Sequence, residues 1–159
     1  MNNEILADVS QYLLFTLDEE KFALKTDDIQ EIVDLINITK IPNSNKCVKG
    51  ITNIRGELIP VIDPKIRFNK GEIKVQKRTS LILINVIDNI DKKKIAIAIM
   101  VDCVLEVCEI KDIDILPPPV FGTIIEEKYI RNILRYDDEF ISLLNIKMLL
   151  DIKELSAIE

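Results

Sequence analysis

The sequence predicts a mostly β domain, and three observations carry that expectation. Hydrophobic residues make up 48% of the 159-residue chain, aromatics only 5%, and Trp is absent, so the core has to be aliphatic. Ile dominates visibly, and its branched Cβ favours extended backbone over helix. The apolar residues fall in short runs of strand length broken by polar turns, with no alternation of strands and helices that would build a doubly wound nucleotide fold. At this length the chain suits one compact domain, or two small lobes sharing a core.

The elements follow in order. Gln11 to Leu17 is a run of strand formers, stopped by Asp18-Glu19-Glu20, and Lys21-Phe22-Ala23-Leu24 resumes it as a hairpin partner. Thr26 is placed to cap a short helical turn with Asp27 and Asp28 at its positive end, and this turn runs into a strand through Ile29, Ile32 and Val33. Ile41-Pro42 closes that strand. Asn43-Ser44-Asn45 then offers a cap for one or two helical turns through Lys46 to Lys49, ended by Gly50. Leu58 to Ile62 is a strand, and Asp63-Pro64 reads as cap and first residue of a turn through Phe68.

Asn69 to Glu72 is a polar loop. The clearest hairpin comes next: Leu81 to Ile87, a charged turn from Asp88 to Lys93, and Ile95 to Val101. Its return strand sets Ile95, Ile97 and Ile99 opposite Ala96, Ala98 and Met100, so both faces are apolar and both are buried. Leu116-Pro117-Pro118-Pro119-Val120 is an extended connection, because proline cannot pair centrally in a sheet. Phe140 to Leu144 is a last strand after the Tyr136 to Glu139 turn. Met148, Leu149, Ile152, Leu155 and Ile158 share one face of a closing helix over Lys147 to Ile158.

Composition also narrows function. The chain has no His, which removes the commonest general base, the Ser-His and Cys-His nucleophile pairs and the usual transition-metal ligand. With 4 glycines it can hold neither a P-loop nor a dinucleotide fingerprint. Its net charge of −6 argues against nucleic acid, and Lys74-Val75-Gln76-Lys77-Arg78 and Lys92-Lys93-Lys94 read as solvated loops. No apolar run approaches the ~20 residues that span a bilayer, and the N-terminus lacks the pattern of a signal peptide, so a cytoplasmic location without membrane insertion is expected. Cys47, Cys103 and Cys108 form no CxxC pair and are expected as buried free thiols. Glu57, Asp63 and Asp102 are the carboxylates nearest to an acid–base arrangement. Asp63 is already explained by capping and the others by strand edges, so no catalytic residue, metal ligand or cofactor site is expected.

Asn53-Ile54-Arg55-Gly56 has a stronger claim to function. Gly56 permits a sharp turn into the Leu58 strand, and Asn53 can bond local backbone to fix that turn. Arg55 then projects from a rigid corner. Two roles stay open for it: a guanidinium that meets a partner's carboxylate or carbonyls, or an internal arginine that ties two lobes together.

Gly50-Ile51-Thr52-Asn53-Ile54-Arg55-Gly56-Glu57-Leu58-Ile59-Pro60-Val61-Ile62-Asp63 resembles the G-x-x-N-x-R-G-x-x-x-P-[IV]-[IV]-D signature of CheW-like domains. The similarity continues through Tyr12 to Phe22, Ile29-Gln30-Glu31-Ile32, Ile97 to Val104, Leu116 to Pro119, Tyr129-Ile130 and Phe140 to Leu150. Ala98 and Asn132 stand where the family usually has Gly, and Asn45 where a second Pro is common. The resemblance implies two intertwined five-stranded β-barrel subdomains with short helices and a C-terminal helix. The domain would run over 10–150, with lobes near 18–84 and 85–145, leaving 151–159 as the end of that helix.

It further implies a non-catalytic adaptor, located at membrane-bound receptor arrays, that couples the cytoplasmic tip of chemoreceptors to the regulatory domain of a histidine kinase. Arg55, Glu31, Ile29 and Val104 would face the receptor, with ordinary core as the other reading of Ile29 and Val104. Apolar residues on the barrel edges would meet the kinase, while Gly50, Asn53, Gly56, Pro60 and Asp63 would be scaffold. With no receiver domain after residue 150, a receiver-bearing coupling variant is not expected. The alternatives are a coupling domain of a non-motility pathway, a ligand-binding barrel or hydrolase using the clustered carboxylates, and an oligonucleotide-binding barrel. The last lacks the basic and aromatic surface it would need.

Overall fold

Extended, β-branched runs account for most of the architecture. A computed structural model of the chain describes residues 8–88, 91–118, 125–151 and 155. Its strands are β1 (Val9–Leu17), β2 (Glu20–Lys25), β3 (Ile29–Asp34), β4 (Val48–Ile54), β5 (Glu57–Ile62), β6 (Ser80–Ile87), β7 (Lys94–Val101), β8 (Cys103–Lys111), β9 (Ile115–Leu116), β10 (Ile130–Tyr136) and β11 (Glu139–Leu144). Two short α-helices, α1 (Pro64–Arg67) and α2 (Ile146–Leu149), each follow a hairpin, and 3₁₀ turns cover Thr26–Asp28, Asp112–Asp114 and Glu127–Tyr129.

The strands form two sheets, ordered β8-β1-β2-β11-β10-β9 and β3-β6-β7-β5-β4. Their connectivity is an exchange. The β1–β2 hairpin sends the next strand, β3, to pair with β6 in the second sheet, while the β6–β7 hairpin sends β8 back to pair with β1. The later hairpins repeat the plan, since β5 lies parallel to β7 and β11 lies parallel to β2. Each sheet is therefore completed by strands from both halves of the chain.

Burial follows from this exchange. On β1, Leu13, Phe15 and Leu17 point into the main core, which gathers Ile59, Ile82 and Ile99 from the second sheet. Alternate residues Tyr12 and Leu14 join Cys108, Ile110, Leu134 and Ile141 in a smaller core lined by the first sheet alone. Strand β7 is buried without a break from Ile97 to Val101, as its two apolar faces require. Ala98 pairs with both Val61 and Leu83 and is fully buried. Cys47, Cys103 and Cys108 are free thiols; Cys47 and Cys108 are buried and Cys103 is half-buried. Burial pushes the Cys108 thiol up to about 11.

Several local expectations are corrected. The two five-stranded barrels implied by the resemblance are not closed: one sheet has six strands, and the outer strands of each sheet do not complete a ladder. In the second sheet the chain leaving β3 passes between the edges and pairs with β4 through an isolated bridge, Thr39 to Ile51. Gly50 ends no helix. Lys46 and Cys47 form only a turn, fixed by the Cys47 N–H donating to Asn45 Oδ1 at 2.9 Å, and Gly50 lies within β4. Its φ is +147°, and a Cβ there would stand 2.2 Å from the Thr39 carbonyl oxygen, so glycine is required for close approach of backbone.

Thr26 caps nothing either. It sits inside the 3₁₀ turn, and its hydroxyl donates to Gln11 O at 3.4 Å. The strand expected to follow that turn is present as Ile29–Asp34, with alternating burial. Among the described residues, the closing helix expected over Lys147 to Ile158 is interrupted at Leu150 and Asp151 after the turn Ile146–Leu149, and Leu155 is helical again, its N–H donating to Asp151 O. The Ile152 and Ile158 positions of that expectation, and the Pro119-Val120 end of the proline connection, lie outside the described residues.

Candidate partner-binding site

The turn between β4 and β5 has two residues, Arg55 and Gly56, since Ile54 faces Glu57 in the register. Both have positive φ, 52° and 84°, the left-handed pair that a right-twisted two-residue hairpin requires. Asn53 secures the corner by accepting the Gly56 N–H on Oδ1 at 2.8 Å. Gly56 supplies the angle rather than space, because a Cβ at that position would meet nothing within 4 Å. Arg55, like Glu19 and Lys92 in other turns, is a long side chain in a slot that favours Asn or Gly.

That side chain has a partner across the opening of the second sheet. β3 and β4 are the sheet's two edges, and the Arg55 guanidinium forms an ion pair with Glu31 of β3. The gap is also crossed by the Thr52 hydroxyl, which donates to Asn37 O at 2.8 Å, and by the paired backbone bonds of Thr39 and Ile51, each 2.8 Å. The Arg55 side chain remains 68% exposed while Glu31 is 24% exposed, so the carboxylate is anchored and the guanidinium is on offer to solvent. Leu58, just beyond the turn, is 64% exposed.

The other expected residues divide into two kinds. Ile29 begins β3 opposite Ile84, and Val104 sits on β8 opposite Phe15; both are half-buried and pack against the main core from different sheets. Pro60 lies in β5 just before Val61 and Ile62 engage β7, so its missing N–H removes no bond from that ladder. Asp63 is fully buried and holds three segments together. One carboxylate oxygen accepts from Lys65 N–H at 2.9 Å, the other from Ile73 N–H at 2.8 Å, and its own N–H donates to Cys47 O. Burial raises its carboxyl above the ordinary value, opposed by the N–H groups of Ile73, Lys65 and Ile66 and by Lys49.

The lobe-tying role left open for Arg55 belongs to a different arginine. Arg67, at the end of α1, donates from Nε to Leu149 O at 3.1 Å and from Nη2 to Met148 O at 2.9 Å, and its guanidinium lies 5.4 Å from the Tyr129 ring centre. It therefore joins the helix following β5 to the helix following β11. The sequence signal is a basic residue in the last turn of a helix, where a long cation can reach carbonyl groups, but nothing in the spacing names its target. Sequence reasoning also misses Leu58. It is the outward residue of a strand that alternates with buried Ile59, a pattern visible in the sequence only once the strand's inner face is known.

The carboxylates Glu57, Asp63 and Asp102 do not form a common site. Glu57 is exposed beside the Arg55 turn, Asp63 is a buried cap, and Asp102 accepts the Asp18 N–H at 2.6 Å. Among the described residues no group of three His, Cys, Asp or Glu side chains could hold a metal ion, and no helix is long and apolar enough to cross a membrane.

Comparison with known proteins places this architecture. Residues 11–154 match the model of the CheW-like domain. The chain is 26% identical over 149 residues to the chemotaxis protein CheW of Klebsiella aerogenes, covering 94% of this chain and 86% of that protein. It is 29% identical over 148 residues to the chemotaxis protein CheW of Treponema pallidum, covering 93% and 86%. The crystal structure of the scaffolding protein TtCheW from Thermoanaerobacter tengcongensis superposes with a TM-score of 0.80 at 32% identity, covering 91% of this chain and 90% of that one. A match over nearly its whole length, on a fold of two exchanged sheets, makes the chain a member of the CheW-like domain family.

Proposed function

We propose that this CheW-like chain is a non-catalytic adaptor of chemotaxis signalling. Its partners would be the cytoplasmic tip of a chemoreceptor and the regulatory domain of a histidine kinase. Its place would be the cytoplasmic face of a receptor array, and residues 10–150 would act as one unit. The match to a family that includes a scaffolding protein supports the adaptor role. The absence of His from the sequence and the separation of its candidate carboxylates support a role without catalysis.

The observation that carries the site is Arg55. A two-residue turn fixed by Asn53 holds its guanidinium, 68% exposed, at the edge of the second sheet, where a partner can reach it. Its ion pair with Glu31 is largely solvent-exposed and is worth only about 0.2–1 kcal/mol. A helical receptor tip presenting a carboxylate or free carbonyl groups would engage Arg55, with Glu31 keeping it extended and Ile29 and Val104 adding apolar contact.

The test is Arg55→Glu, measured by titration against a receptor-tip fragment. Receptor affinity should fall by roughly 30-fold, the ~2 kcal/mol of a truncated arginine anchor, while thermal unfolding stays cooperative. Normal receptor binding by a folded variant removes Arg55 from the site. A second variant, Arg55→Asn, suits the left-handed turn and should lose binding without a lower Tm.

A further inference from the structure

Charge is distributed very unevenly along this acidic chain. Residues 40–79 hold ten of the 21 cationic side chains and three of the 27 carboxylates, a local charge of +7 within a total of −6, which leaves −13 on the remainder. The fold sets part of these charges, leaving aside the Arg55–Glu31 pair, on two faces. Lys49 reaches from β4 to Glu72 at 2.5 Å, and Lys40 also acts on that carboxylate, so the 40–49 segment lies against the 69–79 loop. Exposed Lys40, Lys70, Lys74, Lys77 and Arg78 belong to this face, and Val75 stands among them with 61% of its surface open.

The acidic face is built from two hairpin turns of the first sheet. Lys21 bonds Glu139 at 2.6 Å and so joins the Asp18-Glu19-Glu20 turn to the Asp137-Asp138-Glu139 turn. The Tyr136 hydroxyl reaches Glu106 of β8 at 3.3 Å, bringing a further exposed carboxylate to the group. Phe140, 69% exposed, stands beside Glu139. The basic face carries an exposed apolar side chain among its cations. The faces also adjoin: Lys65 pairs with Asp18 at 3.2 Å, and a cavity at that boundary is rimmed by Asp18 and Glu20 on one side and Lys65 and Lys70 on the other.

We propose that this bipolar surface docks a second copy of the chain about a twofold axis, the basic loops of each copy on the acidic turns of the other. Adjoining patches of opposite sign are self-complementary under a twofold, which satisfies both faces of both copies in one contact. Because two copies of a −6 chain repel as wholes, their attraction has to come from patches within a screening length of each other, about 10 Å at 0.1 M salt. The proposal stands apart from the adaptor role, since neither Arg55 nor Glu31 takes part.

The test is sedimentation of the full chain across a concentration series at about 20 mM and about 500 mM NaCl, salt concentrations that bracket strong and weak screening. The native protein should pass from monomer to dimer at low salt, with the dimer dissociation constant weakening at least ~10-fold at high salt. Two charge-reversed variants, Lys74→Glu/Lys77→Glu/Arg78→Glu and Glu20→Lys/Glu106→Lys/Glu139→Lys, should each stay monomeric while still unfolding cooperatively. Mixed in equal amounts they should form a heterodimer. A native protein that stays monomeric at low salt, a dimer indifferent to either variant or to salt, an open series of larger species, or a mixture that fails to pair would each overturn the proposal.

Discussion

At the scale of single residues, Asp63 shows how a motif position can matter without touching a partner. Its two oxygens satisfy N–H groups of α1 and of the 69–79 loop, and a buried donor left without an acceptor costs about 1–3 kcal/mol. Asp63→Ala should therefore lose roughly 2–4 kcal/mol of stability in denaturant unfolding, with receptor affinity unchanged in the folded fraction. The pH dependence has a definite sign. Burial raises this carboxyl, so the folded state holds its proton more tightly than the unfolded state does. The associated stability is present below the unfolded value and lost as pH rises through the folded one. The stability of the native protein minus that of Asp63→Asn should accordingly fall from about pH 3.5 to pH 7, by about 1.4 kcal/mol for every tenfold difference in proton affinity between the two states. A difference that rises over that range contradicts the assignment. The capping role of Asp63 was legible from Asp-Pro alone. Its second bond, ten residues away to Ile73, was not, because a side chain's long-range acceptor has no signature in spacing.

At the scale of elements, strands were legible wherever branched aliphatic residues ran between polar turns, as in β1, β6, β7 and β11, because period and composition act locally. Local patterns misjudge the helices where tertiary contacts decide. The apolar spacing over Lys147 to Ile158 suggests an unbroken helix, but α2 is interrupted after Leu149, where the Arg67 guanidinium takes the Met148 and Leu149 carbonyls. The segment before Gly50 has a helix-like cap, yet β4 needs it extended to reach β5 and the Thr39 bridge. Gly50→Ala tests that reading. A methyl group pressed into the Thr39 carbonyl at a left-handed angle should cost upward of about 2 kcal/mol and speed hydrogen exchange at the Thr39 and Ile51 amides. If Gly50→Ala melts like the native protein, the close approach is not what holds this edge. The Arg55 turn was legible as a rigid corner from Asn-x-x-Gly. Its ion pair with Glu31 was not, since it joins opposite edges of a sheet whose curl no local pattern encodes.

At the scale of the whole molecule, the exchange of β3 and β8 between sheets is the feature local reading cannot supply. Alternation tells which face of a strand is buried, not which strand lies beside it. Its consequence is that neither half of the chain holds a complete sheet. A fragment covering residues 1–77 lacks the β6 partner of β3 and the parallel β11 partner of β2, and one covering 78–159 lacks the β1 partner of β8 and the parallel β2 partner of β11. Each fragment alone should show no cooperative thermal transition, whereas the two mixed should recover the native one; cooperative folding by either alone would contradict the exchange.

The same intertwining suits the proposed adaptor role, because two faces held on shared cores would keep a fixed relation with both proposed partners bound. The most direct test is calorimetric titration of the full chain with a receptor-tip fragment and with the kinase regulatory domain, separately and then in sequence. The adaptor role predicts binding of each and formation of the three-part complex. Failure to bind either partner would contradict it.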